Sequence, residues 1–388
     1  MKLSPAVGIA VFACTLCNSA RAIPAFARKF NLPCSTCHIA PPYLNPTGRA
    51  FLEAGYRLPD EDGNVDEAMQ HHQVINDNLV LEKMLPWAAR VRSVAIDKQT
   101  DSAAQIQPLA ELEFSTMGNF YRTGSFHLAA GGEFDEGFAF GGDGFIGIHP
   151  SRWFNVVGGF GSAMSADPYN TFRTEDHGLT VKTKAAFTEG HQSAVAVVDD
   201  ASFVTAYGRA GILFYSGGIA LTPGELDPEH PGVVMARVAV DAVDGLTIGA
   251  FGLGGRRAAA ADGEGPAEDA SLWRAGADLN ATLFDVTANV VFVVSGDQLE
   301  GSAHEITFGG FVEALYAWRL DGRPALLPVA RLDWVQRDGD NVLGGVVDLS
   351  SYVFENARVG AELSYEQVLT TSDDAGVGRG SVFLDLVF

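Results

Sequence analysis

Positive charge is scarce in this sequence: 26 Lys and Arg stand against 48 Asp and Glu, a net charge of -22. Nucleic-acid binding runs through Lys and Arg contacts to phosphate, so no nucleic-acid partner is expected. Long apolar runs are missing as well. After the first twenty-odd positions no stretch reaches the roughly 18 apolar residues of a membrane-crossing helix, so any membrane span has to be built differently. Cysteine is rare, with 4 in 388 residues. Apolar side chains are not rare: 47% of residues are hydrophobic and 25 are Phe, which excludes a disordered chain and supplies a large core or wall.

The N-terminus carries its own instruction. Met1 and Lys2 open a short positive region, Ala6 to Cys17 are mostly apolar, and Ala20-Arg21-Ala22 fits a small-x-small cleavage site before Ile23. This pattern predicts a secretory signal over residues 1–22, cleaved near Ala22. Lipidation at Cys14 is disfavoured by the bulky Phe12 close before it. Cleavage removes Cys14 and Cys17, so the mature chain keeps only Cys34 and Cys37.

Those two cysteines belong to one motif, Cys34-Ser35-Thr36-Cys37-His38, the C-x-x-C-H pattern of c-type haem attachment. The chemistry needs two thiols spaced to reach the two vinyl groups as thioethers, followed by an imidazole that meets the iron from the proximal side. One covalent haem c is therefore expected, held by Cys34, Cys37 and His38. The competing readings are a thioredoxin-like redox pair, which expects a βαβ setting not seen here, and half of a zinc site, which lacks further cysteines. For the distal iron ligand the nearest downstream candidates are Met69, His71, His72 and Met84, with Met69 and His72 preferred. Met84 precedes Leu85-Pro86-Trp87 and also suits packing at a domain junction, while His71 and His72 also suit a solvated loop.

Around the motif lie Pro24, Phe26-Ala27-Arg28-Lys29, Pro42, Leu44, Gly48-Arg49, Phe51 and Gly55-Tyr56. This block, from about Ile23 to Pro59, resembles the haem segment of the fused outer-membrane cytochrome–porins, a family that includes iron oxidases of the bacterial outer membrane. The resemblance implies one N-terminal haem joined to a β-barrel. It also implies oxidation of extracellular Fe(II), with electrons passed to a periplasmic carrier such as a soluble cytochrome.

After the acidic stretch Asp60 to Glu67 the pattern changes to period two. Trp273, Ala275, Ala277, Leu279 and Ala281 alternate with Arg274, Gly276, Asp278 and Asn280. Ile306, Phe308, Val312, Tyr316 and Trp318 alternate with Glu305, Thr307 and Glu313, and similar alternation runs through Val234–Val240 and Val359–Tyr365. Further strands are expected near 87–97, 104–115, 124–134, 138–148, 153–161, 178–188, 192–200, 203–221, 245–254, 284–294, 325–337 and 346–355, punctuated by Gly, Pro, Asp and Asn clusters. Gly380, Val382, Leu384, Leu386 and terminal Phe388 look like the last strand of an outer-membrane barrel. Opposite charges within single strands, Arg274 with Asp278 and Arg331 with Asp333, suit a polar lumen.

The expected fold is mainly β: a transmembrane antiparallel β-barrel of about 16 strands over 86–388, at roughly 19 residues per strand and turn, preceded by a small c-type haem domain and linker over 23–85. Trp87, Trp153, Tyr316 and Trp318 suit interfacial girdles. Glu111, Glu113, Glu133, Glu305, Glu313, Glu362 and Glu366 are candidate lumen acids for drawing in cations, with solubility as the plainer reading. Six histidines beyond the haem segment are scattered singly, and no H-E-x-x-H or G-x-S-x-G motif occurs.

Three functions from different classes remain. The first is outer-membrane electron transfer through the haem, with Fe(II) oxidation as its enzymatic form. The second is a solute-conducting porin whose haem segment is a plug or sensor. The third is a soluble periplasmic cytochrome with a β-rich domain.

Overall fold

The computed structural model describes residues 25–30, 32–58, 72–76, 79–82, 87–100, 102–120, 123–133, 139–173, 179–184, 201–221, 232–258, 269–299, 305–320, 323–337, 340–369 and 376–387. The expected signal segment, Met69 and terminal Phe388 lie outside these residues.

The described chain opens with helix α1 (Ala25–Phe30), a single 3-10 turn at Cys34–Thr36, the paired short strands β1 (His38–Ala40) and β2 (Tyr43–Leu44), and helix α2 (Pro46–Glu53). A separate hairpin pairs β3 (His72–Asn76) with β4 (Leu79–Glu82). The remaining strands are β5 (Trp87–Gln99), β6 (Gln105–Phe120), β7 (Gly124–Glu133), β8 (Ala139–Ser151), β9 (Phe154–Gly161), β10 (Ala201–Ala210), β11 (Leu213–Leu221) and β12 (Gly232–Val243). They continue with β13 (Leu246–Ala258), β14 (Asp269–Leu283), β15 (Val286–Leu299), β16 (Glu305–Tyr316), the short β17 (Trp318–Leu320), β18 (Arg323–Arg337), β19 (Asp340–Phe354), β20 (Ala357–Val368) and β21 (Val377–Val387).

From β5 onward the strands close into one antiparallel barrel of sixteen long strands. β17 is a short insert between β16 and β18, which also pair directly. The barrel is sealed where β21 pairs with β5. Full closure leaves no edge, so every ladder group has a partner and the outer face can meet hydrocarbon.

The period-two pattern explains both faces. Along β19, Leu343, Val347, Leu349 and Val353 face outward and exposed, while Val346, Asp348, Ser350 and Tyr352 face inward and are buried. Along β20, Leu363 is 70% exposed whereas Arg358 and Glu362 are buried. A soluble β domain would bury the apolar set. Here the apolar set is outside and the charged set inside, the arrangement of a membrane barrel. Trp87, Trp153, Tyr316 and Trp318 all lie outward and exposed at strand ends.

Short turns connect β6–β7, β8–β9, β10–β11, β12–β13, β14–β15 and β19–β20. Because neighbours are antiparallel, these turns, the start of β5 and the end of β21 share one end of the barrel. At Phe284-Asp285 both residues have positive φ (50° and 64°), as a two-residue hairpin of the primed type requires. The longest connections, 162–200, 222–231 and 259–268, share the other end with the two-residue connection 338–339.

Segments enter the lumen from both ends. Residues 32–58 sit inside the wall, so that Phe51, Leu52 and Tyr56 form one apolar cluster with Phe145, Phe203 and Tyr207 of the barrel. From the opposite end the connection between β9 and β10 turns inward through helix α3 (Asn170–Arg173), burying Met164, Tyr169, Phe172 and Leu179.

Two strand expectations need correction. The 203–221 stretch is two strands, β10 and β11, divided at Gly211 with φ +61°. Of the 178–188 stretch, residues 179–184 form no strand. The backbone N–H groups of Val181 and Lys182 donate instead to the Glu362 carboxylate at 2.5 and 2.8 Å, and Arg331 donates to the carbonyls of Lys182 and Thr183. Side-chain partners thus take the place of a ladder. The 192–200 expectation lies outside the described residues.

Candidate cofactor site

The C-x-x-C-H motif folds as a 3-10 turn, with Thr36 N–H donating to Pro33 and Cys37 N–H to Cys34. Residues three apart are eclipsed in a 3-10 helix, so the two thiols leave the same side of the turn. Asn45 fixes this turn to α2. Its side-chain oxygen accepts from Gly48 N–H at 3.0 Å as the helix N-cap, its Nδ2 donates to the Ser35 and Thr36 carbonyls at 3.1 and 3.0 Å, and its backbone N–H donates to Cys37. Gly48 lies against the Cys37 carbonyl so closely that a Cβ would collide with it.

Cys34, Cys37 and His38 line one cavity of about 380 Å³ between the N-terminal segment and the barrel wall. That volume lies within the usual range for a cofactor or small-molecule pocket. Phe26, Phe30, Phe51 and Tyr56 form its aromatic side, with Phe26 edge-on to Phe51 at 4.8 Å and stacked on Tyr56 at 5.2 Å. The barrel supplies the other side: Ala88 to Arg90 of β5, Glu113, Ser115 and Met117 of β6, Tyr352 of β19, Arg358 of β20, and Asp385 and Val387 of β21. These are the ends of strands that meet the short turns, so the cavity lies at that mouth of the barrel.

The lining is mostly apolar, with the guanidinium groups of Arg90 and Arg358 and the carboxylates of Glu113, Glu355 and Asp385 at its wall. Arg90 is held by Asp385 through contacts of 3.1 and 3.0 Å and by Glu111 at 3.2 Å, while Arg358 donates to the Leu179 carbonyl at 3.0 Å. An apolar slot with aromatic walls, two thiols and an imidazole at one side, and fixed cations at the wall suits a porphyrin with its carboxylates.

Burial pushes the Cys34 thiol up to about 11, the Glu355 carboxylate adding to the effect, and raises Cys37 as well. The two thiols are free of any disulfide. A redox-exchange pair needs a depressed thiol, so this environment runs against the thioredoxin-like reading.

The distal-ligand candidates fare differently. Met69 lies outside the described residues. The backbone of His72 opens β3, opposite Glu82, and its side chain lies outside what the structure describes. Met117, Arg90, Arg358 and Tyr352 were not singled out by sequence reading. Nothing local marks them, because each is one inward position of an alternating strand, and only closure of the barrel brings it to the motif.

Four of the seven candidate lumen acids are clasps. Glu313, 0% exposed, accepts from Tyr43 OH, and Glu111 lies 3.2 Å from Arg90. Glu362 caps two backbone amides and Glu366 pairs with Lys182. Glu113 lines the cavity; the side chains of Glu133 and Glu305 lie outside what the structure describes. Arg331 pairs with Asp333 at 2.8 Å as the sequence suggests, whereas Asp278 pairs with Arg237 of a different strand. Among the described residues no group of three His, Cys, Asp or Glu side chains is arranged to hold a metal ion.

No protein-family model and no curated protein matches the chain at the sequence level. Its structure is similar to solved outer-membrane barrels. The trimer form of OmpT from Vibrio cholerae superposes with a TM-score of 0.60 at 12% identity, covering 79% of this chain and 99% of that one. OmpT from the same organism, expressed in the outer membrane, gives 0.58 at 12% identity, covering 82% and 100%. An anion-selective porin from Comamonas acidovorans gives 0.56 at 10% identity, covering 79% and 99%. The chain thus has the closed sixteen-stranded barrel fold of outer-membrane porins, and these identities speak to the fold alone.

Proposed function

We propose that this chain is an outer-membrane electron-transfer protein that holds one covalent haem c in the cavity at the short-turn mouth of its barrel. The observation that carries the reading is the convergence of Cys34, Cys37 and His38 with four aromatic rings on a single apolar cavity walled by the barrel. Thioethers to Cys34 and Cys37 would fix the group, His38 would be the proximal ligand, and Arg90 and Arg358 would face its carboxylates. When bound, the haem supplies one-electron cycling between ferric and ferrous iron. The chain's own contribution is to exclude water with Phe26, Phe30, Phe51 and Tyr56, and to hold the site where lipid cannot reach it.

Short turns of outer-membrane barrels face the periplasm. The cavity therefore opens toward the side where a soluble electron carrier moves. The proposed enzymatic form is oxidation of extracellular Fe(II), each ferrous ion giving one electron to the site and leaving as ferric iron. Glu111, Glu313, Glu362 and Glu366 are engaged as clasps, and among the described residues no cluster is arranged to hold iron, so the donor is expected to deliver its electron without a dedicated binding cluster.

The test uses protein purified from outer membranes. Covalent haem should survive denaturing electrophoresis in the natural protein and vanish in a Cys34→Ala/Cys37→Ala variant that still shows the heat-dependent mobility of a folded barrel. Stopped-flow mixing of the ferric protein with ferrous iron should produce the ferrous spectrum. An intact, haem-loaded protein that ferrous iron does not reduce removes iron oxidation and leaves electron transfer to other donors.

A second reading, solute passage, draws on the porin-like fold. Two segments occupy the lumen from opposite ends, and conductance measurements decide between the two readings.

A further inference from the structure

We propose that Met117, on the barrel wall, provides the distal ligand to the haem iron. The inference rests on the haem reading above and adds a residue some eighty positions from the motif. Axial ligands have to approach the iron from opposite faces. His38 borders both the main cavity and a smaller adjoining pocket lined by Arg319, Arg323 and Pro324, so it enters from the β17–β19 side. Met117 enters from β6, and in the barrel order β20, β21 and β5 lie between β19 and β6. His38, on the inserted segment beside β17–β19, and Met117, on β6, thus border the same cavity from different sides of its lining.

The other candidates on the lining are weaker. Among the described residues the cavity lining has no second histidine and no lysine. Tyr352 is committed by its hydroxyl to the Pro41 carbonyl at 2.9 Å. Tyr56 stacks on Phe26 within the aromatic wall. Met117 is a thioether, the second ligand type found in c-type cytochromes, and it raises the reduction potential relative to a second imidazole. It packs against the same apolar cluster as Phe26 and Phe30. Its strand is also pinned to the N-terminal segment: Asn119, two residues on, donates to the Gly55 carbonyl at 2.5 Å and lies 3.5 Å from Lys29 Nζ. A ligand on a closed barrel strand is held in place by its ladder on both sides.

The experiment combines spectra of the natural protein with two variants, each prepared from outer membranes. The ferric natural protein should show the sulfur-to-iron charge-transfer band of methionine ligation, by absorption or magnetic circular dichroism. Met117→Leu nearly conserves volume and should keep its covalent haem and barrel mobility, but lose that band and move to a lower potential. Met117→His should remain low-spin without the band, also at lower potential. Absence of the band from haem-loaded natural protein, or its persistence in Met117→Leu, overturns the assignment while leaving the haem reading intact. Absence of covalent haem from the natural protein overturns the haem reading itself.

Discussion

At the scale of single residues, the site depends on Asn45 and Gly48 as much as on the residues that would bond the cofactor. Asn45 ties the carbonyls of Ser35 and Thr36 to the first turn of α2, and Gly48 lets that helix approach the Cys37 carbonyl. Asn45→Ala should cost about 1–2 kcal/mol from the lost cap alone. It should lower haem occupancy, read from the ratio of Soret to protein absorbance, at an unchanged yield of folded barrel. Gly48→Ala should do the same through the forced displacement of the turn. The grouping of Cys34, Cys37 and His38 was legible in the sequence because the chemistry expected of them dictates residue type and spacing, and the structure adds that all three line one cavity. Met117 was not. It is one inward position of an alternating strand, and only closure of the barrel brings it to the cavity.

At the scale of elements, the inward segment between β9 and β10 is held by buried ion pairs. Arg237 on β12 is 1% exposed and bridges Asp167 of that segment to Asp278 of β14, 2.5 Å away. Thr171 of α3 also donates to Asp278, at 2.9 Å. Removing one partner of such a pair strands a charge in the interior, at a cost of about 3–5 kcal/mol. Arg237→Ala should lower the melting temperature and speed proteolysis within residues 162–184, monitored by limited digestion and mass spectrometry. Unchanged cleavage there would show that the segment is held by its apolar contacts alone. Most wall strands were legible because each has one lipid-type and one lumen-type face, while β10 and β11 ran together across Gly211. The same rule misled at 178–188, since a chain pressed between a wall and a plug also alternates. Leu179 packs inward while the amides of Val181 and Lys182 find a carboxylate, and the pattern by itself does not say whether the backbone partners are another strand.

For the molecule as a whole, a porin-like wall encloses a lumen with two occupants. Arg209 shows how they are joined: it pairs with Glu53 of α2 at 2.7 and 2.6 Å, with Asp241 of β12 at 2.6 Å, and donates to the Tyr169 hydroxyl of the inward segment at 2.9 Å. Plug, inward segment and wall thus meet at one guanidinium. In planar bilayers the full chain should pass little current, and a variant lacking residues 25–58 should conduct several-fold more. Open conductance of the full chain would favour solute passage as the function. The net charge of -22 stood out in the sequence as a possible cation lure, yet the acids that the structure places in the lumen are largely spent on holding these parts together. The seam of the barrel carries a further consequence. Arg90 of β5 and Asp385 of β21 pair across it, and both line the cavity together with Ala88 and Val387. The cavity wall is therefore incomplete until the first and last barrel strands have met. Whatever occupies the cavity binds the closed barrel in preference to the open one and, by linkage, stabilises closure. A group already tethered to Cys34 and Cys37 would act at a high effective concentration, making the cofactor a latch on barrel assembly.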